Sequence, residues 1–286
     1  MSPQPASSQV SAAGSGQGLR SASELAVSLS DASLSYGARE LWSGLDLDIR
    51  RGEFFAVLGP NGSGKTSLLK VLLGLEKLTS GSVQVAGEPV RRGSRNIGYI
   101  PQQQPFPPET PLRARDLVGL GLDGHRWGIR LRDAAHHRHV DSLLEAVGAS
   151  SYANAPVGTL SGGEQQRLRA AQALATNPDV LLCDEPLLSL DLHHQQAVSS
   201  LINAQCHEAN SAVIFVTHEI NPIIDYVDRV LYLANGRFRV GTPQEVMTSS
   251  VLSELYGSTV EVLRHNGRII VVGLPDATPH HHHEEI

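Results

Sequence analysis

Gly59-Pro60-Asn61-Gly62-Ser63-Gly64-Lys65-Thr66 has the spacing G-x-x-x-x-G-K-[ST], and its surroundings suit a loop that cradles phosphate. The apolar run Phe54-Phe55-Ala56-Val57-Leu58 leads in and reads as a buried strand, and from Lys65 through Ser67 to Leu73 the apolar spacing is helical. Glycines let the backbone curl until successive N–H groups face inward as a nest for anionic oxygens. The helix start adds unpaired N–H groups and partial positive charge. In such a loop Lys65 reaches the β- and γ-phosphates and the Thr66 hydroxyl ligates Mg²⁺. A chance Gly-rich turn would not require the strand and the helix on either side, so the expected ligand is a nucleoside triphosphate.

Composition bounds the rest. The 286 residues suffice for one large domain or two small ones, and 41% apolar with 18% charged residues describe an ordinary soluble globular chain. A net charge of −6 argues against a general nucleic-acid binder. No apolar run approaches the roughly 18 residues of a membrane span, and the N-terminus lacks the basic start and apolar core of a secretory signal. Two cysteines, Cys183 in an apolar strand and Cys206 without a partner motif, fit a reducing compartment. The expected place is the cytosol, with any membrane role exercised through a partner chain.

Outward from the loop, residues 1–22 are rich in Ser, Ala, Gly and Gln without periodicity and are expected to form a disordered tail. Strand patterns follow in 27–30, 32–36 and 45–49, suggesting an antiparallel β piece beside the nucleotide core. Further strands are expected at 81–87 and 97–100, before Pro101. Residues 102–163 change character: a Pro-rich start precedes helices, with Val140, Leu143, Leu144 and Val147 on one face of a helix over 134–147. A helix over 164–175 and apolar strands at 179–184 and 212–216 complete an alternation that implies a largely parallel sheet. Near the end, His265-Asn266-Gly267 joins two alternating runs as a small hairpin.

Three more stretches decide among the many users of such a loop. Leu160-Ser161-Gly162-Gly163-Glu164-Gln165-Gln166-Arg167 places two glycines after a serine at a helix start, a second anion site; a plain serine cap would explain Ser161 but not the octet. Asp184-Glu185 ends an apolar strand, where ligands sit in open α/β sheets. An Asp there can hold Mg²⁺, and the adjacent Glu can polarise a water as general base. His218 follows the strand 212–216, and its imidazole can hydrogen-bond a γ-phosphate.

In this order, over roughly residues 25–256, these motifs resemble those of the ATP-binding subunits of ABC transporters, whose signature is LSGGQ; Glu164 gives the LSGGE variant. The resemblance implies an α/β fold with a P-loop NTPase (RecA-like) core, an antiparallel β subdomain and an inserted α-helical subdomain. The expected division is a tail at 1–22, an ATP-binding core at 23–101 and 164–256, a helical subdomain at 102–163 with the signature at its end, and a C-terminal hairpin with a His-rich tail at 257–286. ATP and Mg²⁺ are the implied cofactors, and ATP hydrolysis coupled to transmembrane transport the implied activity. Thr66, Gln102 and Asp184 would hold Mg²⁺, Glu185 would be the base, and His218 the switch histidine. Gln102, after Tyr99-Ile100-Pro101, resembles the Q-loop glutamine, with Gln103 and Gln104 leaving a register one residue later open. The nucleotide-binding set would be Gly59 to Thr66 with Ser67, then Ser161, Gly162 and Gly163. Tyr36 resembles the aromatic that stacks on adenine, an edge-strand tyrosine being the competing reading. Where the family reads Thr-Ser-Ala-Leu-Asp, this chain has Leu187-Leu188-Ser189-Leu190-Asp191; Leu188 removes one hydroxyl, and Asp191 keeps the D-loop acid.

One chain carries one phosphate loop and one signature, so two chains would build two composite sites by a closed two-fold. The expected partners are a twin or a paired ATPase subunit, integral membrane permease subunits and an extracytoplasmic substrate-binding protein, without nucleic acid. The place that this implies is cytoplasmic, peripheral on the inner face of the cell membrane through the permease. Residues 110–118 and Leu255-Tyr256-Gly257 with 260–263 look like the zinc/manganese uptake branch, so import of one of those ions is the leading expectation. Iron–siderophore or cobalamin-type import is the nearest alternative, then a soluble ABC ATPase; the sustained heptads of repair ATPases do not occur. Imidazole suits Zn²⁺, and histidines cluster as His136, His137, His139 and as His280 to His283, with a solvated helix face and an expression tag as the competing readings.

Overall fold

A computed structural model describes residues 24–124 and 133–273; the stretch 1–22 read as a tail and the run His280 to His283 lie outside the described residues. The segments β1 (Leu25–Tyr36) and β2 (Arg39–Arg50) pair antiparallel across a two-residue turn. The sequence pattern breaks β1 into two strands, but it is one, shifted in register around Asp31, whose φ of +46° marks a bulge. With β4 (Ser80–Val85) and β5 (Glu88–Pro89) it forms a four-stranded antiparallel sheet in the order β2-β1-β4-β5.

The second sheet has six strands. β3 (Phe54–Leu58), β6 (Ile97–Ile100), β7 (Val180–Asp184), β8 (Ala212–Val216) and β9 (Arg229–Ala234) run parallel, and β10 (Arg237–Gly241) adds an antiparallel edge; the order is β10-β9-β3-β8-β7-β6. Every residue of β3, β7 and β8 is buried because alternate side chains enter two different cores. Phe54, Leu181, Val213 and Phe215 face one core, while Phe55, Leu182, Ile214 and Leu231 face the other. A strand covered on both sides reads as an unbroken apolar run, which is the pattern that these segments carry.

The first core is closed by α5 (Leu192–Glu208), α6 (Pro243–Val246) and α7 (Ser249–Tyr256), the second by α1 (Lys65–Leu72) and the antiparallel sheet with its buried Trp42. A third cluster joins α2 (Ala114–Asp123), α3 (Ala134–Ala146) and α4 (Gly162–Leu174) through Leu117, Val118, Val140, Leu144 and Leu168. Helix α4 serves two cores at once: Leu168 and Ala171 enter the helical cluster, and Ala170, Ala173 and Leu174 enter the sheet core. Leu144 is 1% exposed, so Leu144→Ala is expected to cost about 2–5 kcal/mol. The check is a lower urea midpoint at unchanged slope.

Helix α3 settles one cluster of histidines. His137 Nδ1 lies 2.8 Å from Asp133 O, His139 Nε2 lies 3.0 Å from Ala175 O at the end of α4, and the His136 and His137 rings meet edge-on. Among the described residues no group of three or more His, Cys, Asp or Glu could hold a metal. His136, His137 and His139 are not brought together as such a group; the rings of His137 and His139 meet backbone carbonyls. Cys183 and Cys206 are buried free thiols. The chain ends its described part in the hairpin β11 (Val260–His265) and β12 (Arg268–Gly273), whose Asn266-Gly267 turn has φ of +49° and +76°, as a type I′ turn requires.

Candidate functional site

The C-terminal ends of β3, β6, β7 and β8 open on one side of the parallel sheet, and the motif residues gather there. After β3 the backbone turns through Gly59, Gly62 and Gly64 at φ of +141°, +77° and +100°. A Cβ at Gly59 would stand 2.0 Å from Leu233 O, and one at Gly64 2.9 Å from Trp42 Nε1, so space as well as φ requires glycine. The Lys65 ammonium folds back to donate to Gly59 O at 2.7 Å and Pro60 O at 2.9 Å. Burial holds its pKa below that of an ordinary lysine, against the opposing charges of Glu185 and Asp184. Ser63 Oγ is buried inside the loop without a hydrogen-bond partner. A cradle of glycines at positive φ, a cation and an orphaned hydroxyl fits the oxygens of a triphosphate.

Thr66 Oγ1 donates to Asp184 Oδ1 at 3.1 Å, joining the start of α1 to the end of β7. Burial raises the Asp184 pKa; the Thr66 hydrogen bond opposes that shift, and the nearby Glu185 charge adds to it. Burial pushes the pKa of the Tyr99 hydroxyl up to about 12, and the neighbouring Asp184 carboxylate adds to that shift. A hydroxyl and a carboxylate converging on one point are the hard oxygen donors that Mg²⁺ takes.

Glu185 has a φ of +48°, a conformation costly for a residue with a side chain, and its N–H donates to Val216 O at 3.0 Å. Its carboxylate accepts from Gln102 Nε2 at 3.4 Å and stands 3.6 Å from His218 Nδ1. Its side chain is 13% exposed and that of His218 56%. Gln103 goes elsewhere, its amide against Gly162, where a Cβ would lie 1.9 Å from Nε2. Gln102 is thus the glutamine beside Glu185, and Gln103 the one beside Gly162.

Tyr36, Asn61, Lys65, Thr66, Ser67, Gln102 and Glu185 line one cavity of about 500 Å³. The Tyr36 hydroxyl donates to the Glu76 carboxylate and lies 3.3 Å from Ser67 Oγ, and the residue is 47% exposed. Arg39 and Leu41 belong to the same cavity and have no place in the motifs. Arg39 Nη2 donates to Gly62 O at 2.9 Å. Its signal was the turn Gly37-Ala38, which makes Arg39 the cross-strand partner of Tyr36. Tyr99 had none, because its reach to Asp184 depends on the β6–β7 pairing.

Ser161, Gly162 and Gly163 are not part of that cavity. Ser161 caps α4 reciprocally: the Glu164 N–H donates to Ser161 Oγ at 3.4 Å, and the Ser161 N–H donates to Glu164 Oε2 at 2.8 Å. The Ser161 hydroxyl, 2.7 Å from the same oxygen, holds the Glu164 pKa below the usual carboxylate range. Gly163 faces Leu190, whose Cδ2 would be 3.3 Å from a Cβ there. Asp191 caps α5, accepting the His194 N–H at 2.9 Å, and that bond lowers its pKa. Leu188, where the hydroxyl is missing, is 37% exposed.

Comparison with known proteins agrees with this geometry. The ABC transporter family matches residues 42–188. The hemin import ATP-binding protein HmuV of Deinococcus radiodurans is 37% identical over 255 residues, 85% of this chain and 95% of that one. The zinc transport system ATP-binding protein TroB of Treponema pallidum is 31% identical over 240 residues (84% and 90%), and the manganese transport system ATP-binding protein MntB of Bacillus subtilis 29% over 238 (83% and 95%). Among solved structures, the dimeric post-hydrolysis state of the ATP-binding cassette MJ0796 bound to ADP and Pi aligns with a TM-score of 0.65 at 28% identity, covering 76% of this chain and 98% of that one. ABC ATPases of this kind dimerise and work with membrane permease subunits, and among the described residues no helix is long and apolar enough to cross a membrane. With a phosphate loop, an acidic strand end and a serine–glycine signature placed as above, the chain belongs to the ABC transporter family as an ATP-binding subunit that hydrolyses ATP with Mg²⁺.

Proposed function

We propose that this chain powers the import of a metal ion, zinc or manganese, through separate permease subunits fed by an extracytoplasmic binding protein, from the cytoplasmic face of the membrane. In this reading the core spans 23–101 and 164–256, and the helical part 102–163 transmits the stroke. Tyr36 stacks on the adenine, Gly59 to Ser67 hold the phosphates, and Thr66, Asp184 and Gln102 hold Mg²⁺. Bound there, the ion would neutralise charge on the β- and γ-phosphate oxygens. Glu185 takes a proton from the attacking water onto its carboxylate. Gln102 and His218, on either side of Glu185, keep that carboxylate and the water aligned with the phosphate. Ser161, Gly162 and Gly163 of a twin chain close the far side of the triphosphate, with Asp191 at the join. The observation that carries this reading is Glu185 held between Gln102 at 3.4 Å and His218 at 3.6 Å, one residue beyond the Thr66–Asp184 contact.

The cargo rests on the relatives for manganese and zinc. An iron-chelate cargo is the second reading, favoured by the higher identity to the hemin importer subunit. Reconstitution with a permease and a binding protein separates them. ATP turnover stimulated by Zn²⁺ or Mn²⁺, with the ion accumulating in the vesicle, is the expected result; stimulation by hemin alone would replace the metal reading with the second.

A further inference from the structure

Residues 217–228 join β8 to β9 and carry His218, without a helix or strand of their own. Local turns shape this segment. The Glu219 N–H donates to Thr217 Oγ1 at 3.1 Å, the Thr217 hydroxyl donates to Glu219 O at 3.0 Å, and the Ile223 and Tyr226 N–H groups close turns onto Ile220 O and Ile223 O. Turns alone do not place an imidazole that is 56% exposed.

Two longer-range contacts do. Ile220 and Ile223 sink into the sheet core together with Val260 and Ile269 of the hairpin. Between them, Asn221 pairs in both directions with the backbone of Ile269: its Nδ2–H donates to Ile269 O at 2.9 Å, and the Ile269 N–H donates to its Oδ1 at 2.8 Å. A carboxamide offers the donor and acceptor of a peptide group, so Asn221 serves as a one-residue strand on the outer edge of β12. The other edge of the hairpin is closed from α7, where the Val262 N–H donates to Ser249 Oγ and the Val260 N–H to Ser253 Oγ, both at 2.9 Å. Side chains thus hold both edges of a sheet too small to be stable alone. One of those edges is fastened to the segment bearing His218, three residues from the imidazole.

We propose that Asn221 is a positioning residue for ATP hydrolysis: by pairing with Ile269 it ties the His218 segment to the hairpin β11–β12, and so fixes where the imidazole stands relative to Glu185. The proposal rests on the reading of His218 given above. It makes the C-terminal hairpin a support of the catalytic centre, and displacement of the hairpin a way to slow turnover without touching nucleotide affinity.

Asn221→Asp keeps the size and the acceptor for the Ile269 N–H but loses the donor, and Asn221→Ala loses both. With full-length protein we expect kcat to fall about tenfold in Asn221→Ala and less in Asn221→Asp, with KM and the ATP dissociation constant within about twofold, since small misplacements act on the chemical step. A purely structural role would lower the melting temperature and shift binding in step with kcat. The deciding measurement is the cycle with His218→Ala, read by single-turnover assays with labelled ATP that reach rates far below wild type. If Asn221 works through His218, adding Asn221→Asp to His218→Ala costs nothing further. An equal fold-loss in both backgrounds, or unchanged kcat in both Asn221 variants, overturns the proposal while leaving His218 in its role. Full activity of His218→Ala alone would instead remove the role itself, and this proposal with it.

Discussion

Glu185→Gln is expected to lower ATP turnover by about 10²–10⁴-fold, the range that removal of a general base spans, while ATP affinity stays within about twofold. Glutamine keeps the shape and can still meet Gln102 and His218, but it cannot take the proton of the attacking water. The residue is suited to this test because its surroundings specify a carboxylate. Gln102 donates to one oxygen and the His218 ring faces the other, and the backbone is held at a φ of +48° to aim it. If two copies close on shared nucleotide, blocking hydrolysis also blocks their release. Light scattering on the variant with ATP and Mg²⁺ should then give about twice the mass of the nucleotide-free chain, by mass action on the paired state. Wild type should return to the smaller mass as ATP is consumed. Turnover close to wild type would assign the proton to another group. A variant that binds ATP tightly yet never pairs would leave Ser161, Gly162 and Gly163 without a nucleotide to meet, because in the single chain they lie outside the cavity that holds Lys65.

Local chemistry determined what could be read from the sequence. The phosphate loop was legible because its glycines answer to φ and space within a few residues. The strands before Gly59 and Glu185 were legible because burial on both faces leaves an unbroken apolar run. The bulge at Asp31 was not, since a positive φ outside glycine leaves no apolar pattern and two short strands fit as well as one. Gln102 and Gln103 are the same residue type one step apart; only the backbone after β6 sends the first to Glu185 and the second to Gly162. Tyr99 and Asn221 were invisible for a related reason, as each acts on a residue brought near by strand pairing or by a hairpin far along the chain. The histidines of α3 mislead in the opposite sense: three in four positions look like ligands, but His137 and His139 each meet a backbone carbonyl, of Asp133 and Ala175.

The second large effect is a trade between stability and chemistry at Asp184. Asp184→Asn is expected to abolish most Mg²⁺-dependent turnover, since losing the charge that holds the ion removes several kcal/mol from the transition state, on the order of a thousandfold in rate. The same change should raise the melting temperature of the nucleotide-free protein. Burial is the largest influence on this carboxyl and lifts its folded pKa above the unfolded value. A carboxyl shifted in that direction binds its proton more tightly in the folded state, so its contribution is most favourable at acid pH. That contribution declines as pH rises through the window between the unfolded and folded values, and at neutral pH the ionised group is a net cost. Asparagine keeps an oxygen to accept from the Thr66 hydroxyl, now 3.1 Å from Asp184 Oδ1, without the charge. Lys65 loses one opposing charge but retains its bonds to Gly59 O and Pro60 O. Melting curves of both proteins from pH 4 to 8 without nucleotide should therefore diverge as pH rises, with the variant above, and converge on acidification. If wild type were instead the more stable at pH 7, the attraction of Lys65 and the Thr66 hydroxyl for the carboxylate would outweigh its desolvation. Asp184 would then hold the empty site together, whereas the burial shift describes an acid whose charge costs the empty site stability until an ion offsets it.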